Sequence, residues 1–103
     1  MEFPGRVLMV GCGSIGQTAL PLLRRHLALP EDGLTVLEAS ERGRTLAAAN
    51  QARFVHCHLK PATYQRELKR RLRAGDLLLN LSVDVSSLDL VEWCSAHGVL
   101  YVD

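Results

Sequence analysis

Val7-Leu8-Met9-Val10-Gly11-Cys12-Gly13-Ser14-Ile15-Gly16 is the stretch whose reading decides the fold. An apolar run breaks into a glycine-rich turn, and a helical pattern follows at once. Gly11, Gly13 and Gly16 have the G-x-G-x-x-G spacing. In a dinucleotide site each glycine has its own task. The first turns the chain sharply out of a strand. The second lets backbone N–H groups approach a pyrophosphate. The third lets the helix pack close to the strand. The backbone N–H groups of Ser14 and Ile15, at the positive end of the helix dipole, complete the phosphate cradle.

Working outward, Arg6 to Val10 reads as a strand buried on both faces. A helix is expected from Ser14 to Leu29, kinked rather than broken at Pro21, because the apolar spacing continues past the proline. Arg24, Arg25 and His26 suit the negative end of its dipole. Pro30-Glu31-Asp32-Gly33 is a turn cluster, and Leu34 to Glu38 is the second strand. Glu41 to Gln51 reads as a short helix with Ser40 as its N-cap. Ala52 to Leu59 is the third strand. Thr63 caps a helix that ends near Ala74, before Gly75. Asp76 to Val83 is the fourth strand, Ser87 to His97 a helix closed by Gly98, and Val99 to Val102 the fifth strand.

This alternation predicts one α/β domain over residues 1–103, a Rossmann-type, doubly wound parallel sheet in strand order 3-2-1-4-5. That order puts the glycine loop and the end of strand four at the switch point, where ligands bind.

The net charge is +1, so bulk electrostatics gives no reason to expect nucleic acid or an anionic membrane as partner. No apolar run approaches the roughly 18 residues needed to cross a bilayer, and the N-terminus lacks a signal-peptide pattern, so a cytoplasmic location is expected. Cys12, Cys57 and Cys94 are odd in number and widely spaced, which argues for reduced thiols. Lys69, Arg70, Arg71 and Arg73 read as a solvated helix face, with no interleaved aromatic residues to suggest stacked bases. His56-Cys57-His58 invites a metal reading. Strand alternation separates the cysteine from the two histidines, and no further ligand completes a tetrahedral set, so no metal is expected.

Glu38, ending strand two, is placed to accept hydrogen bonds from the adenosine ribose hydroxyls, which favours NAD over NADP. Arg42, Arg44 and Ser40 lie close enough in sequence to leave NADP open. Asn80, Ser82 and Val83 end strand four and are expected to border the nicotinamide half of the cofactor; an Asn in an apolar strand must find partners in any case.

The run Arg6-Val-Leu-Met-Val-Gly-Cys-Gly-Ser-Ile-Gly-Gln-Thr-Ala-Leu-Pro-Leu-Leu-Arg-Arg-His26 resembles the start of the bacterial homospermidine synthase family, within the saccharopine dehydrogenase-like group. Asn80-Leu-Ser-Val-Asp-Val-Ser-Ser-Leu-Asp89 and Gly98-Val-Leu-Tyr-Val-Asp103 extend the resemblance, while residues 39–75 match only in pattern. The resemblance implies an NAD-dependent enzyme joining two putrescines to homospermidine with loss of ammonia, by hydride transfer to bound NAD and back to an imine. It implies a polyamine as substrate. Asp84, the only carboxylate near the strand-four end of the cleft, is the catalytic candidate placed to meet a cationic amine. The resemblance also implies a chain several times longer, of which this is the cofactor-binding part. With the pattern ending at strand five, this part is expected to be inert alone and, through an uncovered edge and apolar helix faces, to associate with itself as a homo-oligomer. The family tends to end strand two with Asp, where this chain has Glu38. Two other readings stay open: a free-standing NAD-binding sensor, or the NAD(P)-binding part of another oxidoreductase of the same group.

Overall fold

In the computed structural model, which describes residues 3–11, 13–29 and 32–103, ten elements follow one another. They are β1 (Val7–Val10), α1 (Gly13–His26), β2 (Leu34–Glu38), a 3₁₀ turn (Glu41–Gly43), α2 (Arg44–Ala49), β3 (Arg53–His56), α3 (Tyr64–Arg71), β4 (Leu77–Asn80), α4 (Ser87–His97) and β5 (Leu100–Val102). Cys12 and the Pro30-Glu31 part of the predicted turn lie outside the described residues, as do the side chains of Ser14 and Ile15.

The sheet is parallel throughout, as the alternating pattern required, and has the expected order β3-β2-β1-β4-β5. Val10 lies opposite both Leu37 and Asn80, and Glu38 opposite His56. The carboxyl ends of four strands therefore meet at one edge.

The four strands β1 to β4 feed both faces. Val7, Met9, Leu34 and Val36 pack with Leu20 of α1 and Ala47 of α2. Leu8, Val10, Leu37 and Leu78 pack with Tyr64 and Leu68 of α3 and Leu90, Trp93 and Cys94 of α4. Burying a leucine fully stabilises the fold by about 1.5–3 kcal/mol, which accounts for the continuous apolar runs of β1 and β4. Burial also pushes the Cys94 thiol up to about 11.

Several expected boundaries shift. α1 runs through Pro21 without a break but ends at His26, three residues before Leu29. Arg24 serves α2 as well: its Nε and Nη2 donate to the carbonyls of Asn50 and Gln51 at 2.7 and 2.6 Å, closing that helix's C-terminus. Ser40 caps as predicted, its Oγ accepting from the Arg42 N–H, although a 3₁₀ turn precedes α2. Thr63 sits at the N-cap of α3, yet its side chain makes no cap bond, because its ψ of −11° is not the extended cap geometry. α3 stops at Arg71, not near Ala74. The next turn is held by Asp76, a buried carboxylate that accepts from the N–H groups of Arg6 and Arg73 at 2.9 and 2.8 Å. β3 and β4 are shorter than predicted, ending at His56 and Asn80, and Leu59 and Leu81 beyond them join the two cores.

Candidate dinucleotide site

The glycine loop is fastened on both sides. The Gly11 N–H donates to the Leu37 carbonyl, and the Leu81 N–H donates to the Val10 carbonyl, each at 2.8 Å. Gly11 has φ +83°, and a Cβ there would stand 3.2 Å from the Leu81 carbonyl carbon and 3.3 Å from the Ser82 nitrogen. Only glycine takes this backbone while letting the β4 exit come so close. α1 then begins at Gly13 with no acidic residue in its first turn, so its leading N–H groups, those of Gly13, Ser14 and Ile15, suit an anion. Gly16 is buried, as close helix–strand packing requires.

Around this loop, Glu38, Cys57, His58, Ser82 and Asp84 line a narrow crevice at the carboxyl edge. Glu38 is half-buried, and its Oε1 accepts from the Ala39 N–H at 3.0 Å, which holds the carboxylate beside the strand end. The competing cations are engaged elsewhere. Arg44 pairs with Glu41 and lies over the Phe54 ring, 4.6 Å from its centroid. The hydrogen bond from Arg44 holds the Glu41 carboxyl below the usual carboxylate range. Arg42 Nε reaches back to Ser40 Oγ at 3.4 Å.

The β4 exit is a small polar network. Asn80 is buried; its Nδ2 donates to Tyr101 Oη at 3.2 Å and its Oδ1 accepts from the Ser82 N–H at 3.1 Å. Asn80 therefore shapes the loop from beneath. Ser82 Oγ donates to Asp84 Oδ2 at 2.9 Å and accepts from the Asp84 N–H at 3.1 Å. Val83, 96% exposed, forms the tip between them. Burial raises the Tyr101 pKa, and its hydroxyl donates to Asp103 Oδ2 at 3.0 Å.

Two members of the crevice, Cys57 and His58, escaped the sequence reading. β3 ends at His56, so the alternation that grouped His56 with His58 stops there. His56 turns to Glu41, its Nδ1 3.2 Å from Oε1. His58 instead crosses to Asp84, with Nε2 3.3 Å from Oδ2. The pair joins the β3 and β4 exits over the strands between them. A residue trailing a strand into the switch point was the available signal. Among the described residues no group of three or more His, Cys, Asp or Glu could hold a metal ion. No helix among them is long and apolar enough to cross a membrane.

A doubly wound sheet with a glycine loop at its switch point defines a dinucleotide-binding domain of the Rossmann class. More particularly, the chain belongs to the saccharopine dehydrogenase NADP binding domain family, whose sequence model matches residues 7–103. It is similar to homospermidine synthase of Blastochloris viridis, 40% identical over 102 residues that cover 96% of this chain and 21% of that protein. It is also similar to homospermidine synthase of Mesorhizobium japonicum, 37% identical, covering 99% of this chain and 22% of that protein. Among solved structures, homospermidine synthase from Legionella pneumophila, in complex with NAD, superposes with a TM-score of 0.91 at 26% identity, over 98% of this chain and 22% of that one. An imine reductase from a Pseudomonas species, at TM-score 0.51 and 20% identity over 95% of this chain and 40% of that one, shares the fold alone. The chain spans about a fifth of the length of the homospermidine synthases it matches.

Proposed function

We propose that this chain binds NAD at the carboxyl edge of the sheet and forms the cofactor-binding part of a homospermidine synthase-like enzyme. The observation that carries the proposal is the Gly11 turn, where a positive φ and a close approach to Leu81 and Ser82 leave room only for glycine beside the start of α1. Gly11, Gly13 and Gly16, with the N–H groups of Ser14 and Ile15, hold the pyrophosphate. Glu38 accepts from the ribose hydroxyls. Ser82 and Val83 border the nicotinamide half, on a loop that Asn80 positions.

Bound NAD would supply a hydride acceptor for an amine carbon and return the hydride to an imine, the chemistry that joins two putrescines with loss of ammonia. Asp84 supplies negative charge at the crevice mouth for a cationic amine, and its bonds to Ser82 and His58 fix the direction of its carboxylate. The substrate must be held against the nicotinamide for transfer to occur, so binding and turnover are separable. The arginines that would favour a 2′-phosphate are bound to Glu41 and Ser40, which supports NAD over NADP.

Amide chemical shifts during an NAD titration test the assignment. Saturable shifts are expected at residues 10–16, at 38 and at 80–84. Shifts that miss the glycine loop would refute it. Incubation of this chain with NAD and putrescine should give no homospermidine, and turnover would show that the chain carries the catalytic groups itself.

A further inference from the structure

A second cavity lies away from the carboxyl edge. It lies at the opposite, amino-terminal edge, holds about 350 Å³, and is lined by Arg6, Arg53, Arg70, Arg71, Asp32 and Thr35 over an apolar floor. That volume is within the range of small-ligand sites, about 300–1,000 Å³. Arg6 precedes β1, Arg53 opens β3, and Arg70 and Arg71 end α3. Three separate parts of the chain thus bring cations to one hollow.

The helix dipole accounts for Arg70 and Arg71 in the last turn of α3. It gives no reason for Arg6 or Arg53, which lie at strand starts. Nor does burial pattern. Leu8, Thr35 and Arg53 form one row across β1, β2 and β3, on the face where Val10 and Leu37 are core. A parallel strand covered by helices wants apolar residues there; this row turns polar where the cavity opens.

Four arginines face one lining carboxylate, Asp32, which pairs with none of them among the described residues. A single oxygen, Glu67 Oε1, stands 3.5 Å from both Arg70 Nη1 and Arg71 Nη2. Arg71 Nε is buried with no hydrogen-bond partner. Neither Arg6 nor Arg53 has an ion-pair partner among the described residues. The guanidinium fork is suited to oxyanions, which accept two parallel hydrogen bonds from it.

We propose that this cavity binds a small polyvalent oxyanion of the phosphate or pyrophosphate class, at the edge of the sheet opposite the glycine loop. Arg53 and Arg71 would bind it directly, Arg6 and Arg70 would flank it, and Thr35 offers a hydroxyl from the floor.

The test follows arginine Nε–H resonances of the ¹⁵N-labelled chain during titration with pyrophosphate at constant ionic strength, with and without NAD. Saturable shifts of Arg53 and Arg71 are expected, unchanged by NAD, while Arg25 and Arg66 stay still. Losing one charge-assisted contact in Arg53→Gln should weaken pyrophosphate about tenfold. Arg70→Gln, at an exposed side chain, should weaken it too and serves if Arg53→Gln fails to fold. Linear shifts shared by all arginines, or saturable shifts confined to the amides of residues 10–16, would overturn the proposal.

Discussion

Gly11 concentrates the demands of the fold into one position. Its φ of +83° and the 3.2 Å gap to Leu81 mean that Gly11→Ala adds both backbone strain and a clash with main chain. Such strain costs about 1–3 kcal/mol. Chemical denaturation should therefore show Gly11→Ala less stable by that amount, with NAD affinity reduced as well; a loss below half a kcal/mol would contradict this reading of the turn. Gly11 was legible from sequence because its spacing and its strand–turn–helix context agree. His58 was not. Its partner Asp84 lies 26 positions on, and the contact exists only because β3 stops at His56. Asp76 was hidden for a different reason. In sequence it reads as the first residue of a strand, and nothing in a pattern of apolar residues announces a buried carboxylate serving two backbone donors.

At the scale of elements, the parallel sheet was readable because each strand alternates with a helix, and a parallel sheet needs such crossovers; the order 3-2-1-4-5 came from the glycine loop after the first strand. The ends were less readable. Leu59 and Leu81 are apolar because they fill cores, and an apolar residue does not reveal whether the ladder continues beneath it. The clasp at Asp76 ties the start of β1 to the turn after α3. Asp76→Ala leaves two N–H groups without that acceptor, and hydrogen bonds to a charged group contribute about 1.5–3 kcal/mol each. A destabilisation of at least about 2 kcal/mol is expected from urea unfolding, with Asp76→Asn losing less; equal stability of Asp76→Ala and the parent would refute the clasp. Cys94, on the core-facing side of α4, gives a pH signature. Its folded pKa is raised from 9.0 to about 11, so the folded state holds the proton more tightly than the unfolded one. The stability this contributes is present below pH 9 and is lost as pH rises toward 11. Unfolding free energy should fall across that window, and the fall should shrink in Cys94→Ala. An unchanged slope would remove the thiol from the account.

At the scale of the whole molecule, the sheet has two outer strands, β3 and β5, and β5 is the one with exposed aliphatic side chains. β5 pairs with β4 on one side, and Leu100 and Val102 are 56% and 48% exposed. An apolar strand at a sheet edge is a template for association. Sedimentation at rising concentration should show self-association that Leu100→Lys with Val102→Lys abolishes, and a strict monomer at high concentration would contradict this. The two edges of the sheet also divide the chemistry. The carboxyl edge carries Glu38 and Asp84 beside the glycine loop, whereas the amino edge carries four arginines.

The central claim is that the carboxyl edge binds NAD and that Glu38 selects it. A 2′-phosphate placed against Glu38 meets a like charge, which costs several kcal/mol, on the order of a hundredfold or more in affinity. Calorimetric titration of NAD and NADP against the parent chain and Glu38→Ala tests this most directly. The account predicts that the parent binds NAD far more tightly than NADP, and that Glu38→Ala weakens NAD while narrowing the gap. A parent chain that prefers NADP, or a preference that Glu38→Ala leaves untouched, would contradict it.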